Sequence, residues 1–461
     1  SNLFKFIFNT FMASIHGLFG TNGIRGKVNS ELSPNFISNV SMAIGTWANK
    51  NSKIILGTDT RIHGLFIKNI VSGTLLSMGH NIIDAGILPT PALQLGTQKY
   101  ADLGIMVTAS HNPPEYNGIK IISSDGTEID ESSENAIEEI FLSKKFKEHP
   151  WFLIGNYEKI DIKGDYIFRI LSLIKRENIR KMHVLLDCSN GSSFETSPEI
   201  LKRLGISFET INCQPDGTFP SHLPEPKEEN LGMLIRLVKD NYDIGIAHDG
   251  DADRVMFVDE NGVFLSGDKA LAIFTLEKVK KKKGIIVVPV SASMAIEEIA
   301  EKFGSRVLYT KVGAPIVARK MMEIGAIFGG EDNGGFIFPE MQYCRDGAMA
   351  MAKMLEILSL DKISLSEKLK EIPEYYNVKG NVNVEKEKIP KIMKNLENIS
   401  EGKNIIKIDG IKIIEGKSWV LIRPSGTEPL IRIYSEANDK NTAQKVFMEY
   451  KNLIESLIKE I

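Results

Sequence analysis

Thr108-Ala109-Ser110-His111-Asn112-Pro113-Pro114-Glu115-Tyr116-Asn117-Gly118-Ile119-Lys120 is the stretch on which the reading of this chain turns. The apolar run Leu103–Val107 ahead of it reads as a buried strand. Asn-Pro-Pro then stops any strand or helix. Ser110 is therefore expected on a loop at the carboxyl end of a strand, where open α/β sheets bind ligands. A hydroxyl in that place can act as a nucleophile or carry a phosphoryl group. His111 and Lys120 lie within the loop's reach. Taken alone, the stretch reads equally well as a surface turn with an ordinary serine.

The surrounding sequence alternates strand and helix patterns, which argues for α/β units with mainly parallel sheets. A helix pattern runs over 34–48, a β run over 53–57, a helix over 66–78 and a second strand over 81–84. After Trp151 the pattern restarts, with strands over 183–187, 207–211 and 243–247. A third restart places strands over 285–289, 307–310 and 327–329, and reads Lys280–Lys283 as a solvated turn. From about Pro373 the texture changes to a smaller α+β unit, with strands over 378–384, 411–414 and 419–422. The first three units look like loose copies of one another. The expected division is 17–155, 156–258, 259–372 and 373–461.

Bulk properties agree with this. At about 100–200 residues per domain, 461 residues make three or four domains. Hydrophobic content of 43% and charged content of 25% are those of an ordinary globular protein. A net charge of −3 gives no bulk attraction to nucleic acid or to a membrane surface. The apolar residues 1–19 are too short and too interrupted to span a bilayer, and 1–16 read as an extension ahead of the first unit. Cys188, Cys213 and Cys344 form no disulfide framework or zinc-ligand spacing, which fits a reducing cytoplasm. Arginine is scarce, yet Arg25, Arg254, Arg345 and Arg423 all fall beside glycine- or aspartate-rich loops. The planar guanidinium suits phosphate.

Three further loops carry chemistry. Asp249-Gly250-Asp251-Ala252-Asp253 sets carboxylates at alternate positions, which would share one side of an extended strand exit. Such carboxylates repel unless a cation joins them, and oxygen-only ligands favour Mg²⁺, Ca²⁺ or Mn²⁺. A solvated acidic turn is the plain alternative. Gly330–Gly335 offers Glu331 and Asn333 among glycines that let a ligand approach the backbone. Arg423-Pro424-Ser425-Gly426-Thr427-Glu428-Pro429 combines a fixed cation, hydroxyls and a glycine able to form an anion nest. A serine near a divalent cation, a sugar-hydroxyl loop and a separate phosphate cradle suit an enzyme that moves phosphate from one end of a sugar to the other. A simple phosphatase has no need of the cradle, and a sugar-phosphate sensor has no need of the serine and three carboxylates.

In this order and spacing the four loops resemble those of the α-D-phosphohexomutase family, from about Leu18 to the C-terminus. TASHNPPEYNGIK is similar to that family's phosphoserine loop, DGDADR to its metal loop, GEDNGG to its sugar loop and RPSGTEP to its phosphate loop. The resemblance implies three similar mixed α/β domains plus a C-terminal α+β domain, heart-shaped with a central cleft. It implies Ser110 as phosphoserine and a Mg²⁺ site of Ser110, Asp249, Asp251 and Asp253. Arg25, His111, Lys120 and Arg254 would surround the transferring group. Lys120 would move the proton of the sugar hydroxyl, a role that requires a lowered pKa. Gly313, Glu331 and Asn333 would contact the sugar, and Arg423, Ser425, Gly426 and Thr427 the non-reacting phosphate. The implied reaction interconverts hexose 1-phosphate and hexose 6-phosphate of mannose or glucose through a hexose 1,6-bisphosphate. Glucosamine phosphate is the alternative substrate and a metal-dependent sugar phosphatase the more distant alternative. Asn333 and Gly335 stand where bacterial members usually have Ser and His, and Ala314 follows Gly313 where some have His. Monomer and homodimer both remain open.

Overall fold

The computed structural model describes residues 17–20, 23–426 and 428–460. The extension expected over 1–16, and the candidate phosphate ligand Thr427, lie outside the described residues.

Four sheets follow one another along the chain. The first contains β1 (Ile24–Lys27), β2 (Lys53–Thr58), β3 (Asn81–Ile87), β4 (Leu103–Val107), β5 (Tyr116–Ser123) and β6 (Tyr157–Lys159), in the order β1-β5-β4-β2-β3-β6. The second contains β7 (His183–Asp187), β8 (Ser207–Ile211), β9 (Ile244–His248), β10 (Val255–Asp259) and β11 (Phe264–Leu265), ordered β11-β10-β9-β7-β8. The third contains β12 (Ile285–Pro289), β13 (Arg306–Thr310), β14 (Phe328–Gly330) and β15 (Phe336–Ile337), ordered β13-β12-β14-β15. The fourth contains β16 (Tyr376–Asn383), β17 (Asn404–Ile406), β18 (Ile411–Glu415), β19 (Ser418–Pro424) and β20 (Leu430–Ala437), ordered β16-β20-β19-β18-β17. Every pair in that last sheet is antiparallel. Two strands reach across the divisions drawn from sequence: β6 lies past residue 155 yet pairs with β3, and β11 lies past 258 yet pairs with β10.

The internal repeat is topological. In each of the first three sheets a central strand (β2, β7, β12) takes its two parallel neighbours from the next two strands of the core, and a fourth strand returns antiparallel beside the third. The sheets are thus mixed rather than mainly parallel. The connection that turns the third strand back into the fourth is a tight reversal at the carboxyl end of a parallel strand. It carries Ser110 in the first domain, Asp249–Asp253 in the second and Glu331–Gly335 in the third.

Local chemistry accounts for the elements. The helix Pro34–Trp47 begins where the Ser33 hydroxyl accepts the N–H of Phe36 at 3.2 Å and proline occupies the first turn. The helix Gly267–Lys281 continues past the point where a lysine turn was expected, because basic residues are favoured at a helix C-terminus. One hydrophobic core runs continuously through the first three domains, from Ile55 and Tyr166 to Phe274 and Leu358. The fourth domain has its own core around Ile392, Ile422, Ile433 and Ile454. Trp419 and Leu421 pack it onto Val290 of the third. Among the described residues no helix is long and apolar enough to cross a membrane.

Candidate active site

Ser110 is fully buried and takes a left-handed backbone, φ 50°, a conformation that costs a non-glycine residue free energy unless its surroundings impose it. Arg61 imposes it. Its guanidinium donates to the carbonyls of Ser110 (3.0 Å), Asn112 (2.6 Å), Pro113 (2.7 Å) and Tyr116 (2.9 Å). Asp59 holds Arg61 Nε at 3.2 Å and accepts the Thr108 hydroxyl, while Thr108 Oγ1 accepts the N–H of Ser110. His63 accepts at Nδ1 from the Asn117 amide, so its Nε2–H donates to the Pro114 carbonyl. Tyr116–Lys120 belongs to β5, with Lys120 paired to Met106 and Gly118 to Arg25. Lys120 therefore sits on a strand in the sheet, not on a mobile loop.

The Ser110 hydroxyl donates to Asp249 Oδ2 at 2.8 Å. Asp249, Asp251 and Asp253 are buried and bring one ligand atom each within 4.8 Å of one another. They converge for a different reason from the one expected. The loop is a turn with Ala252 left-handed, φ 57°, so the chain coils and the carboxylates meet, instead of alternating along an extended strand. A Cβ on Gly250 would lie 2.5 Å from the Ser110 carbonyl, which keeps that position open only to glycine. The turn is held from three domains: Thr90 donates its hydroxyl to Asp251 at 2.6 Å, Arg254 N–H reaches Asp249 at 3.2 Å, and Gly347 N–H reaches the Ala252 carbonyl at 3.2 Å.

The donor set fits a divalent cation. Asp251 Oδ1 and Asp253 Oδ1 are buried without a hydrogen-bond partner among the described residues. Burial, then Asp251 and Asp253, pushes the Asp249 carboxyl well above its ordinary range. Burial also works to raise Asp251, but Lys120 and Thr90 bring it below the usual carboxylate range. Arg345 does the same for Asp253 against burial. Three carboxylates gathered this closely call for positive charge, and an oxygen-binding cation would supply it.

Lys120 supplies part of it now. Its ammonium lies 3.3 Å from Asp251 Oδ2 and 3.4 Å from Asp253 Oδ2. Burial lowers its pKa, but the two carboxylates raise it further, so the net direction is upward. The lowered value that proton transfer calls for is not the state seen here. Around this centre Arg25 donates to Asn112 Oδ1 at 2.9 Å, leaving its Nε and Nη2 buried without hydrogen-bond partners among the described residues, as are Arg254 Nε and His111 Nδ1. Burial, then Arg254, Arg25 and Arg345, drives the His111 imidazole far below its ordinary pKa and keeps it neutral.

Arg345 joins the carboxylate centre to the third domain's loop. It donates to Asp253 at 2.5 Å and lies 3.7 Å from Glu331. Glu331 Oε1 accepts the N–H of Gly313 at 3.1 Å, and the neighbouring Val312 N–H donates to Asp409 of the fourth domain at 3.0 Å. Arg423 Nε stands 2.8 Å from the same Asp409 oxygen, though its N–H is off-line for a hydrogen bond. From the carboxylate cluster that receives the Ser110 hydroxyl, polar contacts and the Val312–Gly313 peptide thus lead through Arg345, Glu331 and Asp409 to Arg423. Asn333 Oδ1 accepts the Gly335 N–H within its own loop. Ser425 donates its N–H to the Leu430 carbonyl and accepts the Glu428 N–H at its hydroxyl, while Gly426 is exposed with open space around it. Arg423 itself lies in β19, not at the start of a loop.

Sequence reading missed Arg61, Thr90, Asp409 and the bridging role of Arg345. Asp59-Thr60-Arg61 at the end of a strand was the available signal for the first. The others act across domains and leave no local pattern.

Residues 16–148, 164–262, 266–376 and 366–453 match the family models for phosphoglucomutase/phosphomannomutase α/β/α domains I, II and III and the C-terminal domain. The chain is 41% identical over 452 residues to a phosphoglucomutase/phosphomannomutase of Thermococcus kodakarensis, covering 96% of this chain and 99% of that one. It is 40% identical over 450 residues to a phosphoglucosamine/phosphogalactosamine mutase of Sulfurisphaera tokodaii, covering 95% and 99%. The crystal structure of a phosphoglucomutase/phosphomannomutase family protein from Burkholderia thailandensis superimposes with a TM-score of 0.85 at 25% identity, covering 95% and 97%. With four domains in the family's order and over nine-tenths of its length shared, the chain belongs to the phosphoglucomutase/phosphomannomutase family and is a phosphohexomutase, an intramolecular phosphotransferase.

Proposed function

We propose that the chain interconverts the 1-phosphate and 6-phosphate of mannose or glucose, with Ser110 carrying the phosphoryl group between turnovers. The observation that carries this reading is the path of polar contacts, with the Val312–Gly313 peptide, from Ser110 to Arg423, which ties the serine to a second cationic site in another domain. Phospho-Ser110 gives its phosphoryl group to the free hydroxyl of a hexose monophosphate: the serine O–P bond breaks and a sugar O–P bond forms. The hexose 1,6-bisphosphate turns over, and its other phosphate returns to Ser110. Arg423, Ser425, Gly426 and Thr427 hold the phosphate that is not reacting, and Gly313, Glu331 and Asn333 orient the sugar.

Arg25 and Arg254 hold guanidinium N–H groups, and neutral His111 a ring nitrogen, without hydrogen-bond partners among the described residues, available to the charge that develops on the transferring group. Mg²⁺ held by Ser110, Asp249, Asp251 and Asp253 would neutralise that charge further and polarise the phosphoryl oxygens. Lys120, once Asp251 and Asp253 are engaged elsewhere, is left with burial, which lowers its pKa towards the range a proton carrier needs. Burial of Ser110, Lys120 and the carboxylates keeps water from hydrolysing the phosphoserine.

Glucosamine phosphate is the second reading, because the Sulfurisphaera relative is named for it at nearly the same identity. The test is a coupled assay of mannose, glucose and glucosamine 1-phosphates side by side, primed with hexose 1,6-bisphosphate, with inorganic phosphate measured in parallel. Highest kcat/KM for mannose or glucose phosphate without phosphate release is the expected result. Preference for glucosamine phosphate establishes the second reading, and stoichiometric phosphate release would make the enzyme a phosphatase.

A further inference from the structure

Beneath the Asp249–Asp253 turn lies a pair of thiols that the mutase chemistry does not use. Cys188 follows β7 and Cys213 follows β8 by one residue, and their Sγ atoms are 3.0 Å apart. Cys188 is fully buried, whereas Cys213 is half-buried at the loop surface. A disulfide needs its sulfurs at about 2.0 Å, so closing this pair takes a movement of roughly 1 Å.

The loops that the pair would join are strained and support the metal-binding turn. Ser189, Asn190 and Asn212 all take left-handed backbone, at φ 53° each, at a cost in free energy for each residue. Ser189 donates its hydroxyl to the His248 carbonyl at 2.5 Å, and Ser192 N–H donates to the Gly250 carbonyl at 2.9 Å. Thr60, next to Arg61, donates to the Asn190 carbonyl at 2.8 Å. Segment 188–192 therefore lies under both the carboxylate turn and the clamp on Ser110. It is anchored to the 212–213 segment by Asn190 N–H on the Asn212 carbonyl and by the Asn212 amide on Asp187.

We propose that Cys188 and Cys213 form a redox-responsive pair, closing into a disulfide that braces the loop beneath the metal-binding turn. The oxidant is a peroxide. The Cys213 thiolate attacks one peroxide oxygen, the O–O bond breaks, and a sulfenic acid and water result. Cys188 then attacks the Cys213 sulfur, the S–S bond forms, and the second water leaves. Two thiols and one hydrogen peroxide thus give one disulfide and two waters. Accessibility fixes the order, since only Cys213 is reachable from solvent. The hydrogen bond from Cys188 also lowers the Cys213 thiol's pKa, against the opposing effect of burial. Cys344, buried in the third domain, has no thiol beside it among the described residues and serves as an internal control.

The experiment treats the full-length, Mg²⁺-loaded enzyme with hydrogen peroxide under native conditions and follows intact mass, titratable thiols and a peptide map. The expected result is loss of two hydrogen atoms in mass, a fall from three thiols to one and a 188–213 cross-linked peptide, all reversed by dithiothreitol. The oxidised form should unfold a few degrees higher than the reduced one, because the cross-link restricts the unfolded chain. Cys213→Ser should abolish the cross-link and the shift while keeping mutase turnover within about two-fold. Three titratable thiols after peroxide, or Cys213 oxidised to sulfinic acid beside an alkylatable Cys188, would overturn the proposal.

Discussion

Lys120 holds its ammonium 3.3 Å from Asp251 Oδ2, inside the carboxylate cluster that the divalent cation would share. The lysine and the cation therefore compete for the same oxygens. Replacing Lys120 with Met leaves the carboxylates less neutralised, so Mn²⁺ should bind several-fold more tightly by calorimetry. Mutase turnover should fall by roughly 10²-fold or more if Lys120 is the proton carrier proposed above. Unchanged Mn²⁺ affinity would contradict the competition.

Arg61 spans four loop carbonyls that lysine cannot reach together, because one ammonium lacks the fork of a guanidinium. Arg61→Lys should lower turnover by about 10²-fold, the cost of misplacing the Ser110 hydroxyl by an ångström. Mn²⁺ affinity should fall by much less than turnover, since the three carboxylate ligands keep their turn and its contacts to Thr90 and Gly347 while only the Ser110 ligand is displaced. Loss of turnover and Mn²⁺ affinity together would make Arg61 a global structural residue instead of a clamp.

Arg423 has a carboxylate, Asp409, at 2.8 Å before any phosphate arrives. Arg423→Ala would remove the proposed charge-assisted contact to the non-reacting phosphate, worth about 1.5–3 kcal/mol. KM for the sugar phosphate should rise roughly 10- to 100-fold, with a smaller change in kcat. Steady-state kinetics decide this; a pure kcat effect would place Arg423 in the chemical step.

Lys412 reports on the seam between the third and fourth domains. Its ammonium is buried, donates to the Val290 carbonyl at 2.9 Å and lies 4.2 Å over the Trp419 ring. Burial brings its pKa from 10.5 to about 8, against the raising effects of Glu436, Glu297 and Asp268. Between those values the unfolded chain keeps a proton that the folded chain has released, so stability rises with pH across that window. The full swing is about 3 kcal/mol. Denaturant unfolding at pH 8, 9 and 10 should show the rise in the native protein and not in Lys412→Met. Parallel pH dependence in both proteins would refute it.

The sequence carried the loops better than their geometry. Leu103–Val107, His183–Asp187 and Ile285–Pro289 were legible as strands because each centres on a short apolar run bounded by turn residues. The meeting of Ser110 with Asp249 was foreseeable only through the resemblance, since nothing local relates residues in different sheets. The strand over Tyr116–Lys120 was not read from sequence because the two prolines before it mask its start, and its pairing partners β1 and β4 lie elsewhere in the chain. The Asp249–Asp253 turn was read with strand periodicity; the left-handed Ala252 that coils it has no sequence signature, since alanine rarely adopts that backbone. Asp409 escaped notice because its two partners, Val312 and Arg423, belong to different domains.

The central claim is that the phosphoryl group resides on Ser110 between turnovers. The direct measurement is brief incubation of the Mg²⁺-loaded enzyme with ³²P-labelled hexose 1,6-bisphosphate, followed by peptide mapping. One label per chain is expected on Ser110, chased off by unlabelled hexose monophosphate at the rate of turnover. Label on another residue, or full turnover with none on Ser110, would contradict it.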